Sequence, residues 1–454
     1  MYKYLLVLVM IGMVMISACQ PAQEVVDPDP EPITDPVIDP TDDPIGEDAD
    51  DQSPKFVRSE LAREVSPSAD EDQIRILGEN NAAFALSFYD QIRSEDGNII
   101  YSPFSISLAV SMALAGAEST TEESMIEALQ LALPEDAIHP AFNALVLAIE
   151  ESQEKELDGM DGTSFQLNIA NSIWGQADYA FKQTFLDTLA QHYGAGIFTV
   201  DFIKNPEGAR LAINDWVAEE TAQKIEDLIP QGAIDPLTRL VLANAIYFNG
   251  SWLNPFNETM TSEAPFYTLD GSEITADRMK LYGENLIYGQ GENYQAINLS
   301  YLSSDFVMTL LVPDTGVFNE FEAQLTQEEL TVILSNMSFT RVDLEMPKFD
   351  FESDINANDP LIALGMGAAF DPELADFSGI TDVEDLMITD VLQKATITVD
   401  EEGTEAAAAT AVIIGVTSAM PEEPISLVID RPFLFLIRHQ PTNTILFMGR
   451  VVQP

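Results

Sequence analysis

The sequence predicts a mixed α+β domain with mainly antiparallel sheets, and three observations carry that expectation. Apolar residues recur at helical spacing early in the chain, as at Phe84, Phe88 and Ile92. Long apolar or alternating runs dominate later, as at Leu240 to Phe248 and Val342 to Met346. Of 454 residues 46% are hydrophobic, enough for a sizeable core, and beyond one N-terminal acidic stretch neither a linker nor a repeat divides the chain.

At the N-terminus Lys3 precedes an apolar run from Leu5 to Ile16, short of the roughly 20 residues that a membrane span needs. The following Ile16-Ser17-Ala18-Cys19 resembles a bacterial lipoprotein signal. The resemblance implies removal of residues 1–18, acylation of Cys19, and a secreted protein lipid-anchored at the bacterial cell surface. More than one acyl chain is needed for stable anchoring. Residues 19–69 are dominated by Pro, Asp and Glu, without Lys or Arg from Gln20 to Pro54, and predict a disordered, extended tether. The folded domain is then residues 70–454. Cys19 is the single Cys, which excludes intrachain disulfides. A net charge of -56 argues against nucleic acid or an anionic lipid surface as partner, and no basic cluster suggests a polyanionic cofactor.

Within the domain, Phe84, Phe88 and Ile92, with Ala85 and Tyr89, form one helical face ending before Gly97. Asn98 to Ser105 leads into an apolar helix through Ala117, and the serines opening it, Ser102 and Ser105, need partners if buried. Thr120 and Glu123 have capping-box spacing before a face of Met125, Ile126 and Leu129. Ile213, Trp216 and Val217 form another helical face. Leu240 to Phe248 reads as a central strand covered on both sides, interrupted only by Asn244. Phe306 to Val312, Phe433 to Ile437 and Ile445 to Val452 read as further strands. Val342, Leu344 and Met346 alternate with Asp343 and Glu345 as in a half-exposed strand.

Residues 399–414 support two readings. Ala is the best helix former, and Thr404 is placed to cap a short helix starting at Glu405. Extended, the same residues put Thr404, Ala406, Ala408 and Thr410 on one face, all small and uncharged, with Glu405, Ala407 and Ala409 on the other. A segment of that kind, preceded by Gly403, can live as a loop and later slide into a sheet.

No phosphate loop, dinucleotide fingerprint or nucleophile elbow is present. His139, His192 and His439 lack the surroundings of a triad and fit surface or packing roles, and the acidic residues are too many to single out a catalytic pair. The chain reads as no enzyme, with no cofactor and no metal.

From about Ile74 to its C-terminus the chain resembles the serpin family. The motifs are Val399 to Thr410, Asp430-Arg431-Pro432-Phe433 through Phe447-Met448-Gly449-Arg450-Val451-Val452, Asn98 to Ser105, Leu240 to Trp252, and Ala375-Asp376-Phe377-Ser378-Gly379. The resemblance implies three β-sheets, eight to nine helices and an exposed reactive-centre loop from about Gly403 to Glu423. In inhibitory members a protease cleaves that loop, which then inserts into the main sheet and traps the acylated protease. It further implies a hinge of Glu401, Glu402, Gly403, Thr404, Glu405, Ala406, Ala407, Ala408, Ala409 and Thr410. Ser102, Ser105 and Asn244 match polar residues of the family's shutter beneath the opening sheet, and Trp252 matches an aromatic where the loop first enters. Gln393 departs from the family, which usually has His there. Loop length places the cleaved bond at Thr417–Ser418, with Val416 its neighbour. No Lys or Arg lies between Glu402 and Arg431, so an elastase-like or subtilisin-like serine protease is the expected partner, a papain-like cysteine protease the lesser option. The protein is expected to be a monomer. The alternative is a non-inhibitory serpin with a binding or structural role.

Overall fold

The computed structural model describes residues 53–157, 165–302, 304–382, 386–404 and 423–454. Helices come first: α1 (Glu71–Ile92), α2 (Pro103–Leu114), α3 (Ser119–Ala128), α4 (Glu135–Leu157), α5 (Gln183–Thr188) and α6 (Pro206–Glu220). Shorter ones follow: α7 (Phe318–Gln324), α8 (Gln327–Ser335), α9 (Asn358–Leu361) and α10 (Gly367–Phe370). Asp70 caps α1 in a full capping box with Gln73, and Phe84, Phe88 and Ile92 are buried as their spacing predicts. Ser102 caps α2, its side chain accepting from the Ser105 N–H at 3.1 Å, with Pro103 opening the first turn. Every residue of α2 is buried, which its unbroken run of apolar and small residues permits.

One sheet runs in the order β1 (Lys55–Val57), β4 (Ile197–Val200), β3 (Phe165–Gln176), β5 (Leu240–Ser251), β13 (Gly403–Thr404), β12 (Asp390–Val399) and β11 (Phe349–Asn356). The second runs β14 (Ile425–Val428), β10 (Ser338–Pro347), β7 (Glu273–Gln290), β8 (Tyr294–Ser300), β9 (Phe306–Pro313), β15 (Phe433–His439), β16 (Thr444–Val451) and β2 (Ile99–Tyr101), with β6 (Ser262–Tyr267) beside β7. The serpin resemblance implied three sheets. Two of them are joined here because β7 pairs with β6 at one end and β8 at the other, while β10 pairs with it from Arg278 to Tyr288. Gly283, at φ +74°, and a register shift in β10 between Val342 and Leu344 mark the bend.

The main core lies between the sheets and around α2, and β5, β15 and β16 are buried almost throughout. In β10 Val342, Leu344 and Met346 are buried and Asp343 and Glu345 are not, the alternation read from the sequence. A smaller cluster under α6 packs Ile213 and Val217 against Trp174 of β3, with Trp216 at its edge.

Two expectations need correction. The tether does not run free to Ala69: Lys55–Val57 pairs antiparallel with β4, and Phe56 stacks on Phe198 at 4.6 Å. The segment then stays attached. Ser59 donates to Asp187, the Glu64 N–H donates to the Gln191 carbonyl, and Arg63 pairs with Glu150 at 2.8 Å. An exposed strand edge on β4 accepts any chain with free N–H and C=O groups, so even three residues in an acidic stretch can add to it. Thr120 and Glu123 form no capping box. α3 begins at Ser119, with Glu118 as its cap residue and no side-chain cap bond. Its start is tied to another segment instead, through Glu118 N–H to the Asp376 carbonyl and the Asp376 N–H to Thr121.

Candidate functional site

The site is the seam between β5 and β12. These neighbours are parallel and paired directly from Asp390↔Val241 to Ala395↔Ile246. Beyond that they part, and β13 lies between them, antiparallel to both, with Thr404 opposite Gly250 on one side and Val399 on the other. The chain reverses tightly to get there. The Asp400 carboxylate accepts from the Glu402 and Gly403 N–H groups at 2.9 and 3.2 Å, and the Asp400 N–H donates to the Gly403 carbonyl. Gly403 is required by proximity: a Cβ there would collide with the Gly250 carbonyl and the Ser251 Cα.

Thr404 is 1% exposed, and its hydroxyl lies 2.8 Å from the Tyr301 hydroxyl. Burial pushes the Tyr301 phenol well above its ordinary range, so it stays protonated and can donate to Thr404. Trp252 stacks on Tyr301 at 4.7 Å and its indole N–H donates to the Asp400 carbonyl at 3.0 Å. Its backbone N–H donates to Glu402 and that of Phe256 to Glu401. The Glu401 carboxylate receives the Lys348 ammonium and the Thr261 hydroxyl, both at 2.6 Å. Burial alone would raise the pKa of Glu401. The bonds from Lys348 and Thr261 outweigh it and hold the group below its usual 4.5.

Farther down the seam, three amides lie in register across neighbouring strands: Asn171 on β3, Asn244 on β5 and Gln393 on β12. All face the start of α2. Asn244 donates to the Ser105 hydroxyl at 2.6 Å and to Asn171, while Ser105 donates to Asn171 at 2.9 Å. Gln393 accepts from the Ser102 N–H at 2.8 Å and donates to the Ser102 backbone carbonyl at 3.0 Å and to the Asn244 side-chain oxygen Oδ1 at 2.5 Å. The last of these crosses the line along which β5 and β12 meet. An amide can donate twice and accept at once, so Gln393 meets all three demands where one imidazole could not.

Ser102, Ser105, Asn244 and Gln393 are thus brought together, and Glu401, Glu402, Gly403, Thr404 and Trp252 form a second group at the open end. Cys19, the hinge residues Glu405 to Thr410, and Val416, Thr417 and Ser418 lie outside the described residues. Sequence reasoning missed Asn171, Tyr301, Lys348 and Thr261. Asn171 carries no distinguishing signal, because β3 also contains Gln166, Asn168, Ser172 and Gln176, whereas Asn244 interrupts an apolar run. The other three join through register and loop geometry that residue spacing does not encode.

The central parallel pair of strands is closed below and holds the first residues of a return strand between its members above. The family model described as Serpin (serine protease inhibitor) matches residues 79–454, and the chain belongs to that family. It is 37% identical over 390 residues to the leukocyte elastase inhibitor of Sus scrofa, covering 83% of this chain and 99% of that one. It is 36% identical over 380 residues to an uncharacterized serpin-like protein of Methanosarcina acetivorans, covering 82% and 87%. Among solved structures, the native state of the thermophilic serpin tengpin superposes with a TM-score of 0.76 at 29% identity, over 88% of this chain and 100% of tengpin. Serpins target proteases and are generally not themselves enzymes.

Proposed function

We propose that the protein is a suicide-substrate inhibitor of elastase-like or subtilisin-like serine proteases. The protease cleaves the loop that begins at Gly403, at Thr417–Ser418 with Val416 alongside, and is trapped as an acyl-enzyme when the loop enters the sheet. Cys19 anchors the inhibitor to the bacterial cell surface by lipid. The observation that carries the reading is the seating of Gly403 and Thr404 between β5 and β12. The following residues, small on one face in the sequence, need only continue along the same line for the loop to become a full strand. The leukocyte elastase inhibitors among the relatives favour an elastase-like target.

The test is incubation with elastase or subtilisin followed by denaturing electrophoresis. A complex that survives denaturation supports the proposal; clean cleavage with full recovery of protease activity refutes it. Thr404→Arg sharpens the test. A charge enclosed by Tyr301 and two strands resists burial by several kcal/mol, so insertion slows and the variant is expected to become a substrate. Its complex with protease should vanish while cleavage persists, and an unchanged inhibition stoichiometry would contradict the insertion step.

A further inference from the structure

Arg438 of β15 carries a charge that the described residues leave unmatched. It is 5% exposed, and it borders a cavity that α1 and α8 cover. Its Nε donates to the Thr309 hydroxyl at 3.1 Å, which in turn donates to Asn298, and its Nη1 donates to the Asn443 side-chain oxygen at 2.9 Å. Both partners are neutral. Among the described residues no carboxylate pairs with this guanidinium, whereas the equally buried Arg450 is met by Glu322 at 2.9 Å. Burial lowers the Arg438 pKa only to about 10, so the group stays charged at neutral pH. A buried charge without a counter-ion is costly.

The cavity beside it measures about 20 Å³, room for one water-sized or halide-sized body. Glu79 and Ala82 of α1, Leu330 and Leu334 of α8, Arg438 and Asn443 are among its walls. Arg438 Nη2 donates to no described residue, yet it is not among the sealed, unpaired atoms, so it keeps accessible surface beside the cavity. Because the Asn443 oxygen is taken by Arg438, its amide N–H groups are left to donate.

We propose that this cavity binds one small monovalent anion of the halide class, held by Arg438 Nη2 and the Asn443 amide. The cavity is too small for a larger anion, and a net charge of -56 disfavours a multivalent one. Glu79 at the mouth does not take its place, because its exposed carboxylate is engaged by Arg75 at 2.7 Å. A bound anion would tie α1 and α8 to β15 and stabilise the native state by mass action.

The test follows thermal unfolding of the full chain by circular dichroism while chloride replaces gluconate, an anion too large for the cavity, at constant ionic strength. The midpoint is expected to rise with chloride and then saturate. Arg438→Met, which keeps a long side chain without its charge, should abolish the rise. Glu79→Gln, which removes a carboxylate from the mouth, should lower the chloride concentration for half the effect about threefold. Crystals grown in sodium bromide should show an anomalous peak beside Arg438. Equal melting in chloride and gluconate, a rise that survives Arg438→Met, an unchanged or weaker effect in Glu79→Gln, or bromide crystals without that peak would overturn the proposal. Should Arg438→Met fail to fold, the Glu79→Gln shift and the bromide peak decide. No protease enters the experiment, so its outcome is independent of the inhibitory reading.

Discussion

Gln393 adds a side-chain tie across the seam to the backbone pairs that join β5 and β12. Replacing it by Ala leaves the Ser102 N–H and the Asn244 side-chain oxygen Oδ1 buried and unpaired, whereas the Ser102 carbonyl keeps the Ile106 N–H. Gln393→Ala is expected to destabilise the protein by about 2–4 kcal/mol in equilibrium denaturation, and a loss below about 0.5 kcal/mol would show that the amide row does not close the sheet. Ser102, Ser105 and Asn244 were legible because a polar group interrupts an otherwise apolar run, whereas Trp252 and Gln393 were singled out only through the family resemblance. Tyr301 was not, since nothing in its neighbourhood reveals that its hydroxyl meets a residue about a hundred positions away. His139 gives a second test at this scale. Burial, followed by the nearby His192, lowers its pKa to about 4. The unfolded chain binds a proton at this site near 6.5, so the contribution to stability is complete above that value and is lost as pH falls from 6.5 towards 4. The ring is partly exposed and bonded to Tyr193 at 2.6 Å, so the loss is about 2 kcal/mol. His139→Gln should flatten this part of the acid limb when urea midpoints at pH 7 and pH 4.5 are compared with wild type, and parallel curves would refute it.

The hairpin from β12 into β13 is the element on which the proposed insertion would build, and its turn is held by charge. Glu401 holds Lys348 and Thr261, while the backbone carbonyls of Glu401 and Glu402 receive Phe256 and Trp252. The Glu401 pKa is depressed, so its contribution is present above the ordinary 4.5 and fades as pH falls through the lowered folded-state value. The bond to Glu401 raises Lys348, so the pair persists through neutral pH into the alkaline range. With Lys348 partly exposed, the pair stabilises the turn by about 1 kcal/mol. Glu401→Gln should therefore speed amide exchange at Trp252 and Phe256 about fivefold at pH 7, and the difference should shrink below pH 4.5. A pH-independent difference would assign the effect to packing instead. Most elements were readable because their apolar period is long: α1, α2, β5, β10, β15 and β16 all fall where periodicity puts them. β1 was not, since Lys55–Val57 gains its strand character from the edge of β4. The cap of α3 failed for a related reason, because its contacts with Leu374 and Asp376 fix where the helix starts, overriding local capping chemistry.

For the molecule as a whole, the decisive quantity is the difference between a sheet closed along β5–β12 and one that has taken in a full strand. In the native arrangement only Gly403 and Thr404 occupy the seam, and the six pairs from Asp390↔Val241 to Ala395↔Ile246 keep the rest shut. Opening it breaks those parallel pairings and the Gln393–Asn244 bond. A complete inserted strand would replace them with antiparallel pairing on both sides, the arrangement β13 already shows. Some ten additional residues, each gaining about one hydrogen bond net once the broken parallel pairs and the ordering of the loop are set against the new bonds, at about 1 kcal/mol per bond amount to roughly 10 kcal/mol. In a domain of this size that corresponds to a rise of about 10 °C in Tm. Limited cleavage of the loop with thermolysin, a zinc protease that forms no acyl-enzyme and so cannot be trapped, followed by thermal melting monitored by circular dichroism, is therefore expected to raise Tm by at least that much. Thr404→Arg is expected to unseat β13 in the intact protein, and its cleaved form should show a much smaller rise because insertion must then bury the charge. A cleaved wild-type protein that melts where the intact one does would mean that the loop does not enter the sheet. The two residues of β13 would then be a fixed hairpin, no longer the first step of insertion.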